Sequence, residues 1–324
     1  MSITISSVNV NGIRAATKKR SEENLGLLAW LDEARPNVVL MQEVRATEEQ
    51  SAAALRPALE AGWHWYAAPA QAKGRAGVGI LADKELSDAR VGFGSFMDAG
   101  RWLEATYQAD FGPVRLASLY LPSGAEGTAK QDEKYRFLDE FTEVLAQRAG
   151  EFDHMVIGGD WNICHRREDL KNWQGNRKKS GFLADERRFM DSVFGTFPDR
   201  SSQVIAPDEE AAVGAAGDST TTPPEPGVGT FAGAVDYHGE VLRRPARDPQ
   251  WFDVQRRLQP EGPGPYTWWT YRGQAFNNDA GWRIDYQAAT KAMLERAEEF
   301  RVDKAEHRDL RWSDHSPLTV VYRS

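Results

Sequence analysis

A short apolar run that ends in polar residues recurs along this chain and limits its fold more than any other feature. The most complete example is residues 154–162, in which Val156 and Ile157 precede two glycines, Asp160 and Asn162. The apolar run indicates a buried strand, and we expect the glycines to turn the backbone so that Asp160 and Asn162 emerge on one side. Taken alone, the stretch also fits a strand followed by an ordinary turn. Four other strand-like runs end in the same way, which favours a shared site.

The order of the predicted elements indicates an α/β fold. Strands are predicted over residues 3–10, 37–41, 63–68, 77–81, 102–107, 114–121, the run that ends at 160, 266–271, 282–286 and 318–322. Helices are predicted over residues 22–33, 132–148 and 184–194, and another begins at 48 behind the capping hydroxyl of Thr47. Because several strands follow one another without a helix between them, we expect two mixed sheets packed face to face with helices outside.

Length and composition permit one large domain. A chain of 324 residues with 41% hydrophobic residues can bury a large core, and we expect residues 1–324 to form a single catalytic domain. Residues 196–250 are rich in Ala, Gly, Pro and Thr without periodicity, which predicts a flexible insertion. No apolar run reaches the length of a membrane span. The single cysteine, Cys164, and the absence of a basic and apolar leader favour a cytoplasmic location.

The charge of the chain is acidic overall but locally basic. A formal net charge of −8 argues against a general polyanion binder. Basic residues nevertheless cluster in predicted loops, at 18–20, 73–75, 165–167 and 177–179. Such clusters are usually solvated surface, yet around an acidic site they suit a phosphate substrate.

The polar residues at the strand ends form one candidate set. They are Asn9, Asn11, Glu43, Tyr120, Asp160, Asn162, Asp285, Asp314 and His315. If the strand ends converge, several carboxylates share one pocket, and their repulsion requires a cation. Oxygen donors without a thiolate or His cluster favour Mg²⁺, with Mn²⁺ as an alternative. The pattern therefore predicts metal-assisted hydrolysis of a phosphodiester.

Six short motifs occur in a fixed order. They are NVNGIR at 9–14, QE at 42–43, GDWN at 159–162, YTWWTYR at 266–272, WRID at 282–285 and SDH at 313–315. Together they resemble exonuclease III and related abasic-site endonucleases of the endonuclease/exonuclease/phosphatase superfamily, over essentially the whole chain except the insertion. The resemblance implies a four-layer α/β/β/α sandwich.

The resemblance also implies a metal site. Glu43 would ligate the metal, with Asn9 helping to hold it, and Asn11 and Asp314 would complete the surroundings. Asn11 stands where some relatives have an Asp, so this site would carry one negative charge fewer. Ser123 stands where relatives often have an Asn or Gln, so one phosphate contact is expected to be missing.

Catalytic roles follow from the same resemblance. Asp160 would activate or orient the attacking water, and Asn162 would position the water and the phosphate. His315, held by Asp285, would donate to a phosphate oxygen as negative charge builds there. Tyr120 would stabilise the phosphate or its leaving group. The alternative for Ser-Asp-His-Ser is a capping turn before the last strand.

DNA-binding positions are implied in two places. Trp268, Trp282 and Ile284 match a pocket for a flipped-out abasic sugar, which would admit a sugar without its base and exclude a normal nucleotide. Tryptophans in strands more often pack in the core, and for the neighbouring Trp269 we expect core packing. Arg101 and Asn176 match DNA-contacting loop positions.

Three functional hypotheses result. The leading one is a Mg²⁺-dependent repair nuclease that cuts 5′ to abasic sites in double-stranded DNA and trims 3′ ends as a 3′→5′ exonuclease, acting as a monomer away from membranes. The second keeps the chemistry but acts on another phosphate ester. The third is a relative that binds nucleic acid without catalysis, which the intact catalytic set argues against.

Overall fold

Two six-stranded sheets form the centre of the protein, seen in a computed structural model that describes residues 2–196, 231–239 and 243–324. In spatial order the first sheet contains β11 (Ala297–Val302), β12 (Leu318–Tyr322), β1 (Ile3–Asn9), β2 (Val38–Gln42), β4 (Val78–Ala82) and β3 (His64–Ala68). The second contains β5 (Ser87–Val91), β6 (Trp102–Ala109), β7 (Gly112–Tyr120), β8 (Met155–Asp160), β10 (Asp285–Ala289) and β9 (Phe252–Asp253). The pairs β1–β2 and β7–β8 are parallel, whereas the other neighbours are antiparallel. Both sheets are therefore mixed, as predicted.

The two sheets pack face to face through a buried apolar layer. Ile5 and Leu40 of the first sheet and Leu116 and Val156 of the second are among the buried residues of this layer. At Gly158 the sheets come so close that a Cβ atom would lie 2.5 Å from Leu40 Cδ1. The glycine is thus required by the contact between the sheets, and the backbone continues as a strand through both glycines to Asp160. The predicted turn at the glycines is wrong, and the chain turns only after Asp160.

Helices cover the outer faces of both sheets. On the first sheet these are α1 (Ile13–Ala16), α2 (Leu27–Ala34), α3 (Glu48–Ala54) and α4 (Arg56–Glu60). On the second they are α5 (Ala129–Glu151) and α7 (Ala184–Phe194). Shorter helices lie in connections: α6 (Trp173–Asn176), α8 (Val254–Leu258) and α9 (Lys291–Leu294). The helices on both outer faces complete the predicted four-layer α/β/β/α sandwich, and Thr47 caps α3 as expected.

The predicted aromatic strand at 266–271 is wrong. Among the described residues, this segment contributes only isolated bridges from Trp268 to Trp282 and to His315. The side chain of Thr267 replaces part of the missing ladder, because its Oγ1 accepts the backbone N–H groups of Ile284 and Asp285 at 3.2 Å. The segment is therefore held against the start of β10 without joining the sheet.

Part of the predicted insertion packs on α5. Phe231 and Tyr237 lie against Tyr135 with ring centroids 5.4 and 5.2 Å away, and Asp132 accepts the backbone N–H groups of Val235 and Asp236. Residues 197–230 and 240–242 of the segment lie outside the described residues, so its flexibility stays a prediction there. Among the described residues, none of the helices combines the length and apolar character needed to cross a bilayer.

Candidate active site

The strand ends predicted to converge lie at one edge of the stacked sheets. Asn9 ends β1, and Glu43 directly follows β2, its parallel neighbour. Tyr120 and Asp160 end the parallel strands β7 and β8 opposite each other, and Asp285 begins β10 opposite Asp160. Because β1 also contacts β8 across the sheets, side chains from both sheets meet in one cluster.

Asn9 joins carboxylates from the two sheets. Its Nδ2 donates to Glu43 Oε1 and to Asp160 Oδ2, each at 2.9 Å. Its Oδ1 accepts the backbone N–H of Asn11 at 2.9 Å, which fixes the orientation of the amide. Both N–H groups of one buried amide thus hold two carboxylates close together without adding a charge.

His315 lies between two buried carboxylates. Its Nδ1 is 2.8 Å from Asp285 Oδ2, and its Nε2 is 3.8 Å from Asp160 Oδ2. Burial alone would lower the pKa of His315, but the carboxylates of Asp285 and Asp160 outweigh it and raise the pKa to about 10. The ring is therefore an imidazolium, which donates Nδ1–H to Asp285 and keeps Nε2–H available at the site.

Asp160 is the most central carboxylate of the cluster. Its Oδ1 accepts the backbone N–H of Asn162 at 3.0 Å, and its Oδ2 accepts the Asn9 amide. Burial raises the pKa of Asp160 to about 7, although the imidazolium of His315 acts in the opposite direction. A carboxylate with a pKa near neutrality is suited to take a proton from water.

Several site residues have left-handed backbone conformations. Asn11, Glu43, Arg45 and Asn162 have φ angles of 48°, 49°, 51° and 52°. Such angles are uncommon for residues other than glycine and are often retained at functional sites. Each of these residues lies just after a strand that ends at the cluster. The left-handed conformations turn the backbone at this point and keep the side chains near the strand ends.

Tyr120 stands beside the cluster with Arg101 packed on it. Burial, followed by the charges of Glu43 and Asp160, raises the pKa of Tyr120 well above its ordinary value, so the phenol stays a hydrogen-bond donor. The Arg101 guanidinium lies 5.2 Å from the Tyr120 ring centroid, and its Nη2 is 3.6 Å from Glu133. The structure thus places Arg101 at the edge of the cluster, in contact with Tyr120.

Asn11, Asp314 and Trp268 form a second polar group. Asn11 Nδ2 donates to Asp314 Oδ1 at 2.8 Å, and Trp268 Nε1 donates to Asp314 Oδ2 at 3.1 Å. Both carboxylate oxygens of Asp314 therefore already have donors. Asp314 connects the Asn9–Asn11 turn to the aromatic residues beside His315.

The aromatic residues predicted to form a pocket do meet next to His315. The apolar group they form contains Cys164, Leu170, Phe182 and Ile284, with Trp173, Trp268 and Trp282 packed against it. Trp268 and Trp282 are edge to face with ring centroids 5.9 Å apart, and Trp268 lies 6.5 Å from the His315 ring. Trp269 is buried elsewhere, with Tyr266 and Phe276, which confirms the expectation of core packing.

Sequence reasoning missed a buried lysine behind Asn162. Asn162 Nδ2 donates to Leu121 O at 2.8 Å, and Asn162 O accepts from Lys134 Nζ at 3.0 Å. Lys134 also donates to Ser123 O and pairs with Glu186 Oε1 at 2.6 Å, with both side chains fully buried. The sequence did contain a signal that Lys134 is buried, because this residue lies on the same face of α5 as the apolar residues four and seven positions later.

The donors of the cluster suit a hard divalent cation on the Glu43 side. Asp160, Asp285 and His315 offer ligand atoms within 4.8 Å of one another, but a doubly protonated imidazolium has no lone pair for a metal. A carboxylate from Glu43, with oxygens from its neighbours, is an all-oxygen set of the kind that Mg²⁺ prefers. Within the part of the chain that the structure describes, Asp285 Oδ1 is buried and has no hydrogen-bond partner, so this oxygen can still accept a donor or a cation.

The remaining predicted positions lie around this cluster. Asn176 ends α6, and its Nδ2 donates to Asn172 O, so its amide is occupied within its own loop. Of the basic clusters, those at 18–20, 73–75 and 177–179 carry exposed cationic side chains, Lys178 and Lys179 in the last of them. His165 and Arg166 are buried, so the prediction that residues 165–167 contribute exposed positive charge around the site is wrong for these two residues.

Comparisons with known proteins place this geometry among nucleases. A profile of the Endonuclease/Exonuclease/phosphatase family matches residues 6–315. An exodeoxyribonuclease of Bacillus subtilis (strain 168) is 25% identical over 97% of this chain and 96% of its own length. The DNA repair nuclease APEX1 of Danio rerio is 24% identical over 98% of this chain and 81% of its own length.

Solved structures with the same fold cover both chains almost completely. A 3′ phosphatase, NExo from Neisseria, bound to product DNA hairpin, has a TM-score of 0.71 at 21% identity and covers 99% of this chain and 100% of its own. An AP endonuclease from Archaeoglobus fulgidus has a TM-score of 0.69 at 21% identity, with the same coverage.

Proposed function

The chain belongs to the endonuclease/exonuclease/phosphatase family and is a nuclease of the exonuclease III type; from that premise we propose that it is a Mg²⁺-dependent repair enzyme that cuts duplex DNA 5′ to abasic sites and trims 3′ ends. The observation that carries the proposal is the Asn9 bridge between Glu43 and Asp160, with the imidazolium of His315 on the other side of Asp160. A metal-ligating carboxylate, a base and an acid thus adjoin one another.

Each residue of the cluster contributes a definite step. Asp160 accepts a proton from the attacking water, whose oxygen forms the new bond to phosphorus while the bond to the 3′ oxygen breaks. The 3′ oxygen leaves with the electron pair of that bond and takes a proton from solvent to become a 3′-hydroxyl. His315 Nε2–H donates to a phosphate oxygen, and Asp285 keeps the ring charged and oriented. Tyr120 donates from its phenol to the same phosphate, and Asn162 orients the water.

Metal binding would be provided by Glu43. A divalent cation held there, with Asn9, Asn11 and Asp314 around it, would polarise the phosphate and offset its negative charge. Mn²⁺ would serve in place of Mg²⁺, because both accept oxygen ligands.

The apolar group beside His315 supports selectivity for an abasic site. Trp268, Trp282 and Ile284 belong to this apolar group, and the Trp268 ring lies 6.5 Å from the His315 ring. We propose that they form the recess that receives the sugar that lacks a base. The relatives named as an exodeoxyribonuclease and a 3′ phosphatase support a 3′-end activity at the same cluster.

The test is a labelled duplex that carries one abasic site, incubated with Mg²⁺ and with EDTA. We expect nicking that EDTA abolishes, and we expect Asp160→Ala and His315→Ala each to lower the rate by a factor of about 10² or more while the far-UV circular dichroism is unchanged. Binding without nicking would favour the non-catalytic alternative. Near-normal nicking by either variant would contradict the role given to that residue.

A further inference from the structure

Glu43 already has a positively charged partner inside the chain. Arg45 Nη2 contacts Glu43 Oε2, while Glu43 Oε1 accepts the Asn9 amide. The Glu43 side chain is 14% exposed and that of Arg45 is 41% exposed. The guanidinium therefore reaches the carboxylate from the solvent side, which is also the side from which an ion would enter.

The backbone holds this contact in place from both sides. Glu43 O and Val44 O accept the N–H groups of Gly12 and Ile13 at 2.8 and 3.0 Å. On the other side, the N–H groups of Val44 and Arg45 donate to residues 77 and 76, each at 2.9 Å. The backbone is in the left-handed conformation at both Glu43 and Arg45, and the side chains of these two residues turn toward each other. The pairing is thus a product of a fixed loop.

Another cation near Glu43 is engaged elsewhere. The Arg101 guanidinium packs on the Tyr120 ring, donates to Tyr120 O and faces Glu133. Among the residues that the structure describes, Arg45 is the cation that forms an ion pair with Glu43.

We propose that Arg45 is an internal counter-ion that competes with the divalent cation for Glu43 and so sets the metal concentration at which the site fills. The proposal rests on the proposed function, because it takes Glu43 as the metal ligand. The guanidinium lies against Glu43 Oε2 and repels a divalent cation that approaches this oxygen, so metal binding at Glu43 would displace Arg45. The half-exposed guanidinium can turn into water at little cost when the metal binds, and it can return to Glu43 when the metal leaves. The affinity of the site for the metal is therefore lower than it would be without Arg45.

The experiment measures binding of Mn²⁺ alone, without DNA, by the EPR signal of the free ion in a titration of the full chain. We compare the wild type, Arg45→Gln and Arg75→Gln. Arg75 is a matched control, since it is an exposed arginine next to Ala76 and its loss changes the net charge equally. We expect Arg45→Gln to tighten Mn²⁺ binding about fivefold, the effect of removing one partly exposed ion pair, and Arg75→Gln to change it less than about twofold.

A second pair of variants separates this inference from the function. Glu43→Gln should abolish tight Mn²⁺ binding, and adding Arg45→Gln to it should then have no effect. Equal affinities for Arg45→Gln and Arg75→Gln, weaker binding by Arg45→Gln, or a tightening that persists without the Glu43 carboxylate would each overturn the competition while leaving the nuclease intact. Absence of Mn²⁺ binding in every variant, or full binding by Glu43→Gln, would overturn the assigned metal site and the competition together.

Discussion

At the scale of single residues, the site depends on protonation states that burial and charge produce together. His315 keeps a proton because Asp285 and Asp160 face its two nitrogens, and Asp160 has a pKa near neutrality because it is buried. That these three residues lie together could be predicted from the sequence, because Asp160 ends one strand-like run, Asp285 lies in another and His315 shortly precedes the last. Their catalytic roles stay a prediction. Arg45 could not, because its importance depends on the carboxylate that it meets after folding. The position of Lys134 on the apolar stripe of α5 indicated burial, but it did not indicate which groups the lysine would meet.

The charge on His315 predicts the alkaline limit of activity. The raised pKa means that the imidazolium is present below about 10 and is lost as the pH rises through that value. Asp285 raises this pKa, so Asp285→Asn should lower it. We expect the alkaline limb of kcat against pH to move to lower pH by about one unit or more, with a reduced maximum.

The measurement is the pH profile of abasic-site nicking in saturating metal. Asp314→Asn is the comparison, because the charge of Asp314 raises the pKa of His315 less than the charges of Asp285 and Asp160 do. An alkaline limb that stays in place in Asp285→Asn would mean that another group titrates there.

At the scale of elements, the meeting of the polar residues could be predicted because paired parallel strands end at the same level of a sheet. Parallel neighbours β1–β2 and β7–β8 end together, so polar residues at their carboxyl ends had to converge. The strands that the sequence did not predict are β5, β9 and β11, which all lie at sheet edges. β9 has only two residues, and β5 and β11 carry charged, exposed residues. Edge strands often carry such residues because they limit pairing with other chains, and the apolar alternation that marks a strand is then absent.

Helix α5 contacts the site through Lys134, which also forms a buried ion pair with Glu186 of α7. Lys134 and Glu186 are fully buried against each other, and Lys134 also holds the carbonyl of Asn162. Lys134→Met should lower the free energy of unfolding by about 3–5 kcal/mol, since it leaves the Glu186 carboxylate buried without its cation. Urea unfolding measures the change.

A lysine on the exposed side of the same helix provides the control. Lys130→Met should change the unfolding free energy by less than about 0.5 kcal/mol, because Lys130 is exposed. The double variant Lys134→Met with Glu186→Gln should recover part of the loss. Equal, small effects of both lysine variants would show that the pair contributes nothing to stability.

At the scale of the whole molecule, a chain with a negative net charge would bind the proposed DNA substrate through positive side chains that are grouped locally on its surface. The net charge is −8, yet cationic side chains are exposed at residues 18–20, 73–75 and 178–179, and Asp160 and Asp285 of the site are buried. Which basic residues form the surface could not be predicted from sequence runs, as the burial of His165 and Arg166 shows. The sandwich itself could be predicted, because it depends only on element order and apolar faces.

The segment between α7 and residue 231 is predicted to be dispensable for this architecture. Phe194 at the end of α7 packs on Trp161, and Tyr237 packs on Tyr135, so each side of the segment is anchored by its own contacts. Deleting residues 203–230, which lack a core-forming pattern, should shift Tm by less than about 3 °C, since a change in the length of a connection alters the unfolding free energy only slowly. Tyr237→Ala, which removes one of the anchors, should lower Tm more than the deletion does, because it empties a buried aromatic position. A broad or lost thermal transition in the deletion variant would instead show that residues 203–230 contribute to the core.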